Sequence, residues 1–203
     1  MSERYVAGGD SCLSIWSACY GPVEGRCFDF PADATVLEMG CAEADWQTPM
    51  LALRPDLRIT GIDWRACKRP GLTIKGDVLT AQFTPESFDA VVGISSIEHI
   101  GLGHYEADPR YIDGDVRAMQ QVVKWLKPGG WAYLDVPLSI AGYQVHGTSH
   151  RSYDWAALQD RLIPKGLSLR HHWYADKRGH LIGEPDPTAA LQYIALLLHK
   201  AAR

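Results

Sequence analysis

The chain has 203 residues, with 20 Lys+Arg against 24 Asp+Glu and a formal net charge of −4. Hydrophobic residues make up 46% and charged residues 22%, the composition of one globular domain with enough apolar side chains for a core of its own. These values argue against disorder, a collagen-like repeat and a polycationic surface built to coat nucleic acid.

The opening segment, Met1 to Asp10, lacks the basic region and apolar stretch of a secretory signal. No apolar run approaches the ~20 residues of a membrane helix. Residues 1–33 are expected to form a Gly-containing lead, with the apolar patch Leu13, Ile15, Trp16 and Tyr20 as a short helix over the site. The cysteines are Cys12, Cys19, Cys27, Cys41 and Cys67. Their odd number and the absence of any Cys-x-x-Cys argue for free thiols in a reducing, cytoplasmic setting, and against a disulfide framework or a four-thiolate zinc site.

From residue 35 onward, short runs rich in β-branched residues alternate with helical segments, the pattern of a parallel sheet covered by helices. Strands are expected at 35–39, 57–62, 72–75, 88–94 and 131–136, with a helix over 45–53. Val116, Met119, Val122, Val123 and Leu126 fall at helical spacing and predict an amphipathic helix over 114–126. Lys127-Pro128-Gly129-Gly130 ends it. Residues 138–151 carry no period and read as a long loop. Asp154 is placed to cap a helix over 155–163. Two late strands, 167–174 and 191–199, complete the pattern. No repeat, linker or domain boundary is visible, so 1–203 reads as a single domain.

The stretch Glu38-Met39-Gly40-Cys41-Ala42-Glu43-Ala44-Asp45 closes the first strand with an acid and then turns on small residues into a helix. Small residues let a backbone approach a ligand closely. Asp63 ends the second strand beside Trp64, and Asp77 with Val78 follows the third. In a βαβ unit the acid after the second strand lies where ribose hydroxyls bind. Ser95-Ser96-Ile97-Glu98-His99-Ile100 follows the fourth strand.

These segments, with Leu126-Lys127-Pro128-Gly129-Gly130-Trp131, resemble the class I S-adenosylmethionine-dependent methyltransferases over about residues 34–137. The run Ile94 to Tyr105 resembles an uncharacterised methyltransferase-like family. The resemblance implies an α/β, Rossmann-like doubly wound sheet of seven mostly parallel strands with an antiparallel last strand. It implies S-adenosyl-L-methionine as cofactor, with the turn Gly40, Cys41 and Ala42 at the methionine part. Glu38 takes the acidic position of that turn, Asp63 the ribose, and Asp77 with Val78 the adenine side. Trp46 and Trp64 are candidates to pack on adenine, and Ser95 lines the same edge. The usual glycine pattern reads here as Gly40-x-Ala42-x-Ala44. Alanine is tolerated there at negative φ and costs about 1 kcal/mol or more at positive φ.

A dehydrogenase would favour a third turn glycine where Asp45 stands. The acids Glu38, Glu43, Asp45, Asp63 and Asp77 suit a sulfonium better than a pyrophosphate. For the acceptor chemistry the candidates are His99 and Glu98 after the fourth strand and His150 in the later loop. An imidazole is a suitable base at neutral pH. His99 equally serves to orient its loop. Tyr143, His146, Arg151 and Tyr153 form a second acceptor set with His150. The His146/His150 spacing lacks the helix a metal pair needs, and Asp108, Asp113 and Asp115 read as the acidic start of a helix, so no metal is expected.

The chain lacks Asp/Asn-Pro-Pro-Tyr after the fourth strand and any Pro-Cys, which disfavours nucleic-acid bases as acceptors. Arg161, Lys165, Arg170, Lys177 and Arg178 read as a solvated face. The acceptor is expected to be a small molecule with a sugar-like or other hydroxyl, or an amine. A non-catalytic binding module on the same fold, and transfer of another group from the same cofactor, are the alternatives.

Overall fold

The computed structural model describes residues 30–42, 45–104, 110–178, 180–189 and 192–202. The expected N-terminal helix, Cys12, Cys19, Cys27, Glu43, Ala44 and Asp108 lie outside them. In chain order the described elements begin with β1 (Thr35–Met39), α1 (Gln47–Leu53), β2 (Arg58–Asp63), β3 (Leu72–Lys75), β4 (Phe88–Ile94) and α2 (Gly114–Trp125). They continue with β5 (Leu126–Leu138), the short strands β6 (Gln144–His146) and β7 (His150–Ser152), and α3 (Trp155–Ala157), which widens into a π-turn at Leu158–Leu162. The last are β8 (Leu167–Asp176), β9 (Leu181–Ile182) and β10 (Gln192–Lys200).

Eight of these strands form one sheet in the order β3-β2-β1-β4-β5-β10-β8-β9. β1 pairs in parallel with β2 and β4, and β5 with β4. β10 lies antiparallel between β5 and β8. The seven strands expected from the sequence are present, and the two-residue β9 adds one more at the edge beside β8. The chain runs outward from β1 to β3 and restarts at β4 on the other side of β1. The carboxyl ends of β1 and β4 therefore flank a switch point, where open α/β sheets leave a crevice.

Alternation along each strand divides the core between two faces. Leu37 and Met39 of β1, Val91 of β4, Leu134 and Val136 of β5 and Leu196 of β10 share one face with Ala118, Met119, Val122 and Trp125 of α2. Val36, Val92, Tyr133, Ala195 and Leu197 share the other with Trp46, Met50 and Phe30. Each large side chain of α2 so buried contributes about 1.5–3 kcal/mol, and that is what docks the helix. Its buried stripe is shifted from the expected one, since Val116 and Val123 are only half-buried while Ala118 and Trp125 are enclosed. Asp154 accepts from the Ala157 N–H at 2.9 Å and caps α3 as expected.

The segment after β5 contains a hairpin where a loop was expected: β6 and β7 pair antiparallel across Gly147. Three-residue strands are too short to show a period of two. Among the described residues no helix is long and apolar enough to cross a membrane.

Candidate functional site

The candidate residues meet along the carboxyl edge of β1 to β4. Gly40 ends β1 with φ +80° and donates its N–H to the Ile62 carbonyl at 2.8 Å. A Cβ there would stand 2.5 Å from Ser96 Cβ, so glycine is needed both for the left-handed turn and for close approach of the chain leaving β4. Ala42 is not in the left-handed region, so its methyl brings no backbone strain. Its N–H donates to Asp63 Oδ2 at 3.0 Å, joining the turn after β1 to the end of β2.

Asp63 is buried. Its Oδ1 accepts from the Arg65 backbone N–H at 2.8 Å and from Arg65 Nε at 3.1 Å. The Arg65 side chain is one-third exposed, so this partner lies at the solvent side of the carboxylate. Arg69 donates to the carbonyls of Cys41 and Ala42 at 3.0 and 2.9 Å and holds the turn from outside.

Glu38 points into the protein and is fully buried. The Gln47 amide donates to its Oε2. Burial outweighs this bond and pushes its carboxyl up to about 8. Gln47 Oε1 in turn accepts from the Gly71 N–H at 3.1 Å. Glu38 thus braces the turn from beneath.

Trp46 is enclosed in the core beside Phe30, so it has no face for a nucleoside. Trp64 is half-buried in the bend after β2. Asp77 accepts from the Leu79 N–H at 2.8 Å and opens a tight turn after β3, over the buried Val78. Cys41 is fully buried, with its Sγ 3.0 Å from Cys67 Sγ.

After β4 the backbone is bent by Ser95, a non-glycine residue at φ +44°. Such geometry persists only when its surroundings enforce it. Here the Ser95 N–H donates to Asp135 Oδ1 at 2.8 Å, and its hydroxyl donates to Glu98 Oε1 at 2.8 Å. Ser96 Oγ is buried beside the Gly40 turn and has no hydrogen-bond partner among the described residues. Nothing in the spacing of Arg65 and Arg69 marks them in the sequence, and Ser96 stands out there only as part of its segment.

His99 Nδ1 lies 2.5 Å from the Ser149 carbonyl. A carbonyl only accepts, so Nδ1 carries the proton and Nε2 is left to accept one. Nε2 stands 3.6 Å from Oε1 of the buried Glu98. The ring centroids of His104 and His150 lie 5.7 and 6.3 Å from that of His99. His150 stacks on His146 at 4.4 Å. Its affinity for a proton is lowered, first by burial and then by the neighbouring imidazoles.

Two members of the expected acceptor set present no face at this edge. Arg151 and Tyr153 are fully enclosed. Arg151 donates to the carbonyls of Ile100 and Tyr111 at 2.8 and 3.2 Å. Tyr153 donates to Asp115 Oδ2, which also accepts from Arg161 Nε at 2.8 Å. Arg161 is therefore tied inward, contrary to the solvated role expected of it. Asp113 is paired with Arg117. Among the described residues no group of three or more His, Cys, Asp or Glu is placed to hold a metal ion.

No curated protein matches the sequence. A family profile described as a Caenorhabditis protein of unknown function, DUF268, matches residues 78–162. The folded chain is similar to solved structures at low identity. One is the Burkholderia thailandensis 1,6-didemethyltoxoflavin-N1-methyltransferase with bound 1,6-didemethyltoxoflavin and S-adenosylhomocysteine: TM-score 0.61, 16% identity, 83% of this chain and 71% of that one. Another is the O-methyltransferase of a trans-AT PKS multienzyme of Brevibacillus brevis in complex with S-adenosyl-L-homocysteine: TM-score 0.63, 13% identity, 94% and 72%. A third is the [4+2]-cyclase SpnF: TM-score 0.60, 17% identity, 84% and 75%. Sheet order, switch point and these likenesses agree: the chain has the Rossmann-like fold of the class I S-adenosylmethionine-dependent methyltransferases.

Proposed function

We propose that the protein is an S-adenosyl-L-methionine-dependent methyltransferase acting on a hydroxyl or amine of a small molecule. The carrying observation is the joining of three strand ends at one edge: Asp63 is bonded to the Ala42 turn, and that turn packs on Ser96, which leads into the oriented His99.

The residues present fit the cofactor. The edge offers carboxylates rather than phosphate donors, as a sulfonium requires, and Ser96 Oγ is a buried polar atom still to be satisfied. The bound cofactor supplies an electrophilic methyl group. Asp63 accepts from the ribose diol, its Arg65 contact giving way at the exposed side. Gly40, Cys41 and Ala42 shape the turn with Glu38 beneath, and Asp77, Val78, Trp64 and Ser95 border the nucleoside. His99 Nε2 takes the acceptor's proton while the Ser149 carbonyl holds its tautomer and Glu98 offsets the new charge. His150 flanks the acceptor as a neutral imidazole. In this reading residues 1–203 act as one cytoplasmic domain.

The test is incubation with methyl-labelled S-adenosylmethionine and a panel of small hydroxyl and amine acceptors, read by product mass. Gain of a methyl group by one class supports the proposal. Transfer of a larger group, or none to any acceptor, contradicts it.

A binding module on the same fold is the second reading. Arg65 on Asp63 and Ser96 against Gly40 favour it, since the protein's own side chains meet both groups. It calls for no turnover on any acceptor and no loss of biological function in Asp63→Ala.

A further inference from the structure

The turn after β1 carries a thiol that the chemistry above does not use. Cys41 Sγ and Cys67 Sγ are 3.0 Å apart, and both cysteines are free. They belong to different segments, the turn after β1 and the loop between β2 and β3, so their meeting is built by the fold. Gly61 of β2 makes room for it: a Cβ there would stand 2.8 Å from both Cβ and Sγ of Cys41. Thr73 of β3 donates its hydroxyl to the Cys67 carbonyl at 3.0 Å. Arg69, two residues beyond Cys67, holds the Cys41 and Ala42 carbonyls. Each thiol is thus fixed before any bond forms, and closing to a disulfide length of about 2.05 Å needs only about 1 Å of approach.

We infer that Cys41 and Cys67 are a peroxide-reactive dithiol, whose oxidation joins them in a disulfide that fastens the cofactor turn to the β2–β3 loop. The order of events follows from access. Cys67 is half-buried and Cys41 fully buried, and burial keeps the Cys41 thiol protonated. The Cys67 sulfur attacks a hydroperoxide: an S–O bond forms, the O–O bond breaks, and Cys67 becomes a sulfenic acid with release of water or an alcohol. The Cys41 sulfur then attacks the Cys67 sulfur. The S–S bond forms, the S–O bond breaks, and the hydroxide leaves as water with the Cys41 proton. Two thiols and one hydroperoxide have become one disulfide, with the peroxide reduced. The closure draws Cys41 toward Cys67 and strains the neighbouring Ala42 N–H bond to Asp63. The effect on cofactor binding rests on the function proposed above, whereas formation of the disulfide does not.

The experiment treats the wild type, and a variant carrying Cys12→Ser, Cys19→Ser and Cys27→Ser, with one equivalent of hydrogen peroxide. Remaining thiols are then alkylated. Intact mass and peptide mapping should show loss of two hydrogens, a Cys41–Cys67 cross-link, and reversal by dithiothreitol. Cys67→Ser should leave Cys41 as a thiol under the same treatment. Sulfinic acid on Cys67 with Cys41 still alkylated, or no reaction at either, overturns the inference. Should the triple variant fail to fold, fragmentation of the wild-type peptides decides the pairing. S-adenosylhomocysteine titration then reads the consequence: affinity should fall by roughly threefold or more on oxidation and return on reduction. Equal affinity in both forms overturns the regulatory effect. Reduced protein that binds no S-adenosylhomocysteine defeats the proposed function while the mass result still decides the disulfide.

Discussion

Glu38 has the environment with the clearest consequence in solution. Its carboxyl is held at about 8 by burial, far above its value in the unfolded chain. Between roughly pH 4.5 and 8 the native state therefore binds this proton and the unfolded state does not. This contribution is fully present below the unfolded value and is lost as pH rises through about 8. The unfolding free energy from denaturant titrations should fall over that range by up to about 1.4 kcal/mol per pH unit from this group. Glu38→Gln keeps the shape and removes the titration, so the difference between the two proteins should shrink with acid. A parallel pair of pH profiles contradicts the assignment. His99→Gln should slow methyl transfer by roughly 10²–10⁴ while leaving S-adenosylhomocysteine affinity within about twofold. At this scale the acids at the strand ends were readable from their position, whereas Ser96 and Arg65 were not. Their roles depend on which strands become neighbours, and a single sequence does not print that.

Elements place these residues, and two substitutions test how. Gly40→Ala brings a methyl onto Ser96 Cβ and puts a side chain at φ +80°, which should cost about 2 kcal/mol or more. Adding Ser96→Gly removes the collision and keeps the φ strain, so the pair should recover part of the loss. Full recovery, or none, in urea denaturation would show that one of the two terms is absent. Arg151 ties β7 to the loop after β4 through the Ile100 and Tyr111 carbonyls, and its Nε is 3.6 Å from Asp115. Arg151→Met should cost about 3 kcal/mol or more, because it strands the buried Ile100 and Tyr111 carbonyls and leaves Asp115 to Arg161 and Tyr153 alone. The helix over 114–125 was legible because Val116, Met119, Val122 and Val123 fall at helical spacing. The β6–β7 hairpin was hidden, since three residues cannot establish an alternation. The buried Arg151–Asp115–Arg161 group was hidden for another reason: charged residues read as solvated until a partner is found, and these partners are 36 to 46 positions apart in sequence.

The whole molecule is decided by the succession of strand and helix, which implied a parallel sheet before any pairing was known. The order β3-β2-β1-β4-β5-β10-β8 puts the ends of β1 and β4 side by side and so gathers Gly40, Asp63, Ser96 and His99 at one rim. The described thiols, Cys41 and Cys67, are free, so among the described residues the reduced fold rests on burial. A ligand at the rim should therefore stabilise the whole sheet. At a concentration about 100 times its dissociation constant, S-adenosylhomocysteine should add about 2.7 kcal/mol, seen as a rise in melting temperature. The most direct measurement is calorimetric titration of the reduced, folded protein with S-adenosylhomocysteine, beside Asp63→Ala. The account predicts one site per chain in the wild type and a loss of roughly tenfold or more in the variant, with its fold intact by circular dichroism. A folded wild type that takes up no ligand, or an Asp63→Ala protein that binds as tightly, would contradict it.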